Sequence, residues 1–244
     1  MKKTPAIYSI LLLTSTLLLT LVSQPAMADD SEWFIAAKAS LGEDTIDNIS
    51  DGGTIGTGML IGNDIDGQIV DDEVDDYTAG LGFAVGKRMG NWTIEGEYVY
   101  RYRTDWDIAA PTPAIQTITN VFSDVETQTL LVNLIRRGAI NQNWSWEAGI
   151  GVGVALQSID ADYIERATLT NPEFRVSDNE SDTEFTYNIL AGVTRDLGGP
   201  WTFNLRYRYI DLGELEAGPF PTRPARVSAD HMAHELQFSF EFEL

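Results

Sequence analysis

The segment His234 to Leu244 reads H-E-L-Q-F-S-F-E-F-E-L, and no other stretch restricts the fold as strongly. From Leu236 every second residue is large and apolar: Leu236, Phe238, Phe240, Phe242 and Leu244. Gln237, Ser239, Glu241 and Glu243 stand between them. A strand repeats every two residues, so it sorts this segment into one greasy face and one polar face. A soluble sheet can bury a greasy face. Here seven similar strands precede the segment, and an export signal precedes them all. That combination predicts apolar side chains turned to lipid and polar ones lining a closed barrel.

The export signal is legible in its parts. Lys2 and Lys3 open the chain, a largely apolar, uncharged run spans Ile7 to Val22, and Ala26-Met27-Ala28 supplies small residues for cleavage. The expected domains are a secretory signal peptide at 1–28 and a single β-barrel domain at 29–244. A retained membrane anchor is the alternative, but the run is short for a helical span. The signal takes two of the 16 basic residues and no acid, so the remainder has 14 basic against 37 acidic residues, net −23. Such a surface repels nucleic acid, which is therefore excluded as a partner. Cysteine is absent, which removes disulfides and thiolate metal sites.

Strands are expected near 32–40, 77–87, 92–104, 126–137, 144–158, 183–195, 201–211 and 233–244. Trp92 to Arg103 alternates Trp92, Ile94, Gly96, Tyr98, Tyr100 and Tyr102 with Thr93, Glu95, Glu97, Val99, Arg101 and Arg103. In the first strand, Trp33 and Phe34 compete for the outside. Short connections near 88–91, 138–143 and 196–200 alternate with long ones near 41–76, 105–125, 159–182 and 212–232. Three short and four long connections suit an all-β fold, an eight-stranded antiparallel up-and-down transmembrane β-barrel with both ends of the chain on one side. A lipocalin-like soluble barrel is the competing architecture; it would carry its apolar residues inside.

Carried along each strand, the same parity gives an inward set of Lys38, Arg101, Arg103, Arg137, Arg206 and Arg208. Opposing them are Glu95, Glu97, Glu147, Glu184, Glu235, Glu241 and Glu243. Eight strands enclose room for side chains and little else, and charges confined there must be paired or wet. A plug of ion pairs is therefore expected, with Glu235 near Arg206, Arg208 and Lys38; a narrow pore is the alternative. Inward glycines at 80, 82, 149, 151 and 153 are expected to make room for long opposing side chains.

Glu97-Tyr98-Val99-Tyr100-Arg101-Tyr102-Arg103 and Leu205-Arg206-Tyr207-Arg208-Tyr209-Ile210-Asp211-Leu212-Gly213 resemble the strand endings of small outer-membrane β-barrel proteins. That family takes in opacity-type surface proteins and barrels similar to outer membrane protein A. The resemblance covers essentially the whole chain after the signal. It implies residence in a Gram-negative outer membrane among lipid and lipopolysaccharide, insertion by the barrel-assembly machinery, and a structural or surface-contact role. The last strand resembles the assembly signal of the family, except that Leu244 stands where phenylalanine is usual. A peptidoglycan-anchoring role is not expected.

The first long connection, Leu41 to Asp76, holds eleven acidic residues and no basic one. Within it Asp64, Asp66 and Glu73 fall at the third, fifth and twelfth positions of a calcium-loop pattern, with Gly67 at the sixth and Gly62 where an aspartate is usual. Weak calcium binding is one reading of these acids. A solvated, self-repelling loop, or lipopolysaccharide bridged by divalent ions, are the others. No other cofactor is expected. A lipid A-modifying enzyme is the catalytic alternative, since His231 and His234 are the chain's two histidines. Acyl transfer needs a nucleophile beside its base, and no serine stands two residues from either. The expectation is therefore a non-enzymatic barrel contacting an unidentified extracellular ligand through acidic loops.

Overall fold

The computed structural model describes residues 31–51, 54–55, 58–59, 74–112, 117–167, 173–218 and 227–244. They form eight long strands: β1 (Ser31–Asp51), β2 (Val74–Met89), β3 (Trp92–Thr112) and β4 (Thr117–Ala139). The second half supplies β5 (Trp144–Ala167), β6 (Glu173–Gly198), β7 (Trp201–Ala217) and β8 (Val227–Glu243). Each pairs with its sequence neighbour, and β1 pairs antiparallel with β8 to close the barrel. A two-residue ladder, Thr54–Ile55 with Gly58–Met59, lies in the first connection. The short turns use glycine where the backbone needs it, with φ of 60° at Gly90 and 88° and 65° at Gly198 and Gly199.

Alternation holds through the middle of every strand. Ile150 is 60% exposed and Phe240 51%, whereas Glu95, Arg206 and Glu241 are wholly buried. Greasy residues outside and ionic ones inside reverse the lipocalin arrangement. Trp33, Trp92, Trp144 and Trp201 ring the end with the short turns, and Tyr100, Tyr102, Phe185, Tyr187 and Tyr209 ring the other. Trp92 and Tyr102 stand ten residues apart on β3, the length a tilted strand needs to cross a hydrocarbon core. Phe34 settles its competition with Trp33 by turning inward. It fills the space beside Gly86, where a methyl group would overlap its ring.

The strands run well past the far aromatic ring, so most of 105–125 and 159–182 is strand rather than loop. In these extensions the alternation inverts. Ile46, Val125, Ile159, Leu215 and Ala229 are buried inside, while Asp124, Glu126, Ser158 and Asp160 face outward. Beyond the hydrocarbon the exterior meets water, so the apolar face turns to the lumen.

Candidate functional site

Four cations are fully enclosed at mid-barrel, from three strands. Arg206 on β7 donates from Nε to Glu147 Oε1 at 2.6 Å, and from Nη1 to Glu95 Oε1 at 3.1 Å and Oε2 at 3.2 Å. Two residues along, Arg208 donates from Nε to Glu235 Oε2 at 2.7 Å and from Nη1 to Glu97. Lys38 on β1 bridges Glu95, at 2.6 Å, and Glu97. Arg101 on β3 donates to Glu235 Oε1 at 2.6 Å and to Thr129 Oγ1 at 3.1 Å. Amides complete the shell: Asn133 and Gln237 donate to Glu95 and Glu97, and Asn204 donates to Glu241 at 2.6 Å. Toward the short-turn end, Arg137 reaches Glu147 and Glu241, and Arg88 reaches Glu241 and Glu243.

The network differs from its sequence expectation in three places. Arg103 leaves the lumen. A bulge between Arg101 and Thr104 puts Tyr102 and Arg103 outside together, where Arg103 meets Asp124 at 2.8 Å. Glu184 lies above the network, in the outer extension, and burial with Asp182 and Glu214 nearby raises its carboxyl pKa. Arg88, which the parity argument did not include, turns inward over the Phe34 ring at 4.9 Å. Lys38, Arg88, Arg101, Arg137, Arg206 and Arg208 then face Glu95, Glu97, Glu147, Glu235, Glu241 and Glu243, so positive and negative charges match in number. Among the described residues Glu235 makes its ion pairs with Arg208 and Arg101 and none with Arg206 or Lys38. Arg88 was legible in principle, because Gly80, Gly82, Ala84 and Gly86 share its face.

The inward glycines make room chiefly for neighbouring backbone and not, as expected, for long opposing side chains. A methyl group on Gly153 would overlap the Leu130 carbonyl, and one on Gly149 would crowd that of Leu134. Gly151 accommodates the Asn133–Asn188 amide pair, joined at 2.9 Å, and Gly80 lies against the Ser40 hydroxyl.

Above the ion pairs, His231 Nδ1 lies 3.1 Å from Gln157 Oε1 and its Nε2 lies 3.5 Å from Asp44 Oδ2. Thr104 donates its hydroxyl hydrogen to Asp44 Oδ2 at 2.7 Å. His234 faces outward, its Nδ1 2.6 Å from the Tyr207 hydroxyl. Along the outer face of the extensions, Asp105, Asp124 and Asp160 oppose one another across β3, β4 and β5. Asp64, Asp66 and Glu73 lie outside the described residues.

The family model described as the outer membrane protein beta-barrel domain matches residues 14–242. Among solved structures, Neisserial surface protein A is similar at 11% identity and a TM-score of 0.46, covering 88% of this chain and 100% of its own. Outer membrane protein AlkL in lipid bilayers shows 17% identity and a TM-score of 0.43, covering 91% of this chain and 95% of its own. Ail, the attachment invasion locus protein of Yersinia pestis, shows 11% identity and a TM-score of 0.31, covering 83% and 97%. No curated protein matches the sequence. With the family model spanning nearly the whole chain, the protein belongs to the outer membrane protein beta-barrel domain family and resides in the bacterial outer membrane.

Proposed function

We propose that this barrel is a sealed, non-enzymatic scaffold whose work is done at the cell surface. The supporting observation is the lumen, in which Lys38, Arg101, Arg206 and Arg208 interlock with Glu95, Glu97, Glu147, Glu235 and Glu241, each of these side chains at most 1% exposed. Charges held this way resist the rearrangement that conduction requires, because separating a buried pair leaves each ion uncompensated. Function is then left to the extensions and loops, which rigid strands carry clear of the membrane. Their outward carboxylates, among them Glu43, Asp47, Asp75, Asp105, Asp124 and Asp160, favour a cationic partner. Lipopolysaccharide phosphates can join the same carboxylates through divalent ions. His231 is enclosed by Gln157 and Asp44 and His234 is engaged by Tyr207, which leaves neither placed as an acyl-transfer base.

The test has two arms. Protein extracted from outer membranes should leave a planar bilayer electrically silent. Cells displaying it should adhere to polylysine-coated surfaces more than cells lacking it, and added salt should erase the difference. Reproducible channel currents would reject the sealed lumen, and equal adhesion would reject the acidic contact surface.

A further inference from the structure

Three outward-facing cations lie at the short-turn end, and each sits over a tryptophan on the adjoining strand. Lys87 Nζ lies 5.6 Å from the Trp33 ring centroid, Arg136 lies 5.4 Å from Trp92, and Arg195 lies 5.4 Å from Trp144. The pairs fall on β1/β2, β3/β4 and β5/β6, so the motif recurs at every second strand. The fourth position, β7/β8, carries Trp201 against Phe242, with ring centroids 5.0 Å apart and no cation. Arg136 and Arg195 are directly opposite their tryptophans in the strand registers.

The local chemistry separates these cations from the other basic residues at this end. Arg88 and Arg137, one residue further along, turn inward to Glu241 and Glu147. Among the described residues Lys87, Arg136 and Arg195 meet aromatic rings and no carboxylate. An indole under a guanidinium fixes its plane but leaves its N–H edge free, and that edge suits two oxygens of one phosphate. The position fits as well. Each tryptophan marks the level where hydrocarbon gives way to headgroups, and in an outer-membrane barrel the short turns are periplasmic. The opposite rim carries outward acids, with Arg103 and Arg175 there already joined to Asp124 and Asp162.

We propose that Trp33–Lys87, Trp92–Arg136 and Trp144–Arg195 are three binding sites for the phosphodiester of anionic glycerophospholipids in the periplasmic leaflet. In each, the cation takes the phosphate oxygens while the indole packs beside the glycerol and upper acyl chain. The barrel thereby gathers an anionic lipid collar at one rim although its net charge is strongly negative.

Tryptophan quenching tests the proposal directly, because Trp33, Trp92, Trp144, Trp146 and Trp201 at this rim are five of the six tryptophans. Protein from outer membranes is reconstituted in phosphatidylcholine vesicles containing a fixed minor fraction of brominated phosphatidylglycerol or brominated phosphatidylcholine. The association constant read from quenching should favour phosphatidylglycerol by about fivefold. Lys87→Gln, Arg136→Gln and Arg195→Gln together should bring the two lipids to equality, while Lys87→Arg alone should preserve the preference. Equal association of both lipids with the unaltered protein overturns the proposal whether or not the variants fold. An undiminished preference in the folded triple variant overturns it too.

Discussion

Arg101 and Glu235, 134 residues apart in sequence, meet in the lumen with Nε 2.6 Å from Oε1. Glu235 is also held by Arg208, so one carboxylate is shared by two enclosed guanidinium groups, of which Arg208 also meets Glu97. Arg101 Nη2 has no hydrogen-bond partner, which leaves this cation dependent on Glu235. Replacing Glu235 with leucine leaves Arg101 without an anion, and Arg208 with Glu97 alone, in a dry interior. A loss of about 3–5 kcal/mol is expected. Urea unfolding in vesicles, followed by tryptophan fluorescence, measures it; a loss below about 1 kcal/mol would mean the lumen is wet enough to solvate the two cations.

The glycine face of β5 makes a second prediction with its own control. At Gly153 a methyl group would overlap the Leu130 carbonyl oxygen, which is backbone and cannot rotate away. Gly153→Ala should therefore cost about 1–3 kcal/mol. Gly96 faces outward, and a methyl group there would meet nothing nearer than the Val85 carbonyl at 3.8 Å. Gly96→Ala should stay within about 0.5 kcal/mol of the parent. Comparable urea midpoints for the two variants would show that β4 and β5 can separate slightly at no cost.

The middle of this barrel can be read from the sequence because lipid outside and ions inside impose the strongest contrast a strand can carry. Trp201, Phe203, Leu205 and Tyr207 against Thr202, Asn204, Arg206 and Arg208 leave one register only. The same contrast hides the strand ends. Past Leu156 the pattern continues as Ser158, Ile159, Asp160 and Ala161, still alternating but with its sense reversed, so the greasy-outside signature ends there. Arg103 departs from the alternation for a different reason. Counting by two cannot see a bulge, and the shift between Arg101 and Thr104 sends it outward. Pair identities also depend on barrel stagger. Arg208 opposite Glu235 follows from neighbouring strands, whereas Arg101 reaching Glu235 from across the lumen follows only from closure.

Asp124 gives a pH prediction. Burial, a hydrogen bond shared with Asp105, and the nearby Asp160 raise its carboxyl pKa, against the opposing pull of Arg103. A raised folded-state value means the folded extension binds this proton more tightly than the unfolded chain. The outer ends of β3, β4 and β5 should therefore gain protection as pH falls from neutral toward the carboxylate range, and lose it as pH rises again. Asp162 works against this trend, since Ser177 and Arg175 lower its pKa. Hydrogen exchange at residues around 105, 124 and 160 provides the readout. Asp124→Asn should slow exchange at neutral pH and flatten its pH dependence; a dependence that survives the substitution would assign it to another group.

The inverted alternation of the extensions predicts opposite outcomes for adjacent residues. Ile159 is buried in the lumen of the extension beside an outward-facing Asp160. An aspartate at position 159 would bury a charge beside Val125, its partner in the β4/β5 register. Ile159→Asp should open the extension, seen as protease cleavage near residues 159–167, while the membrane-spanning part keeps its heat-modifiable gel migration. Asp160→Leu adds an apolar side chain to a face that meets water and relieves repulsion with Asp124, so its stability should lie within about 0.5 kcal/mol of the parent. Ile150, nine residues nearer the short turns, faces lipid. Charge placed there should impair insertion of the whole barrel and not the extension alone. If Ile159→Asp and Ile150→Asp gave the same cleavage pattern and the same insertion yield, position 159 would not be the enclosed site that its burial describes.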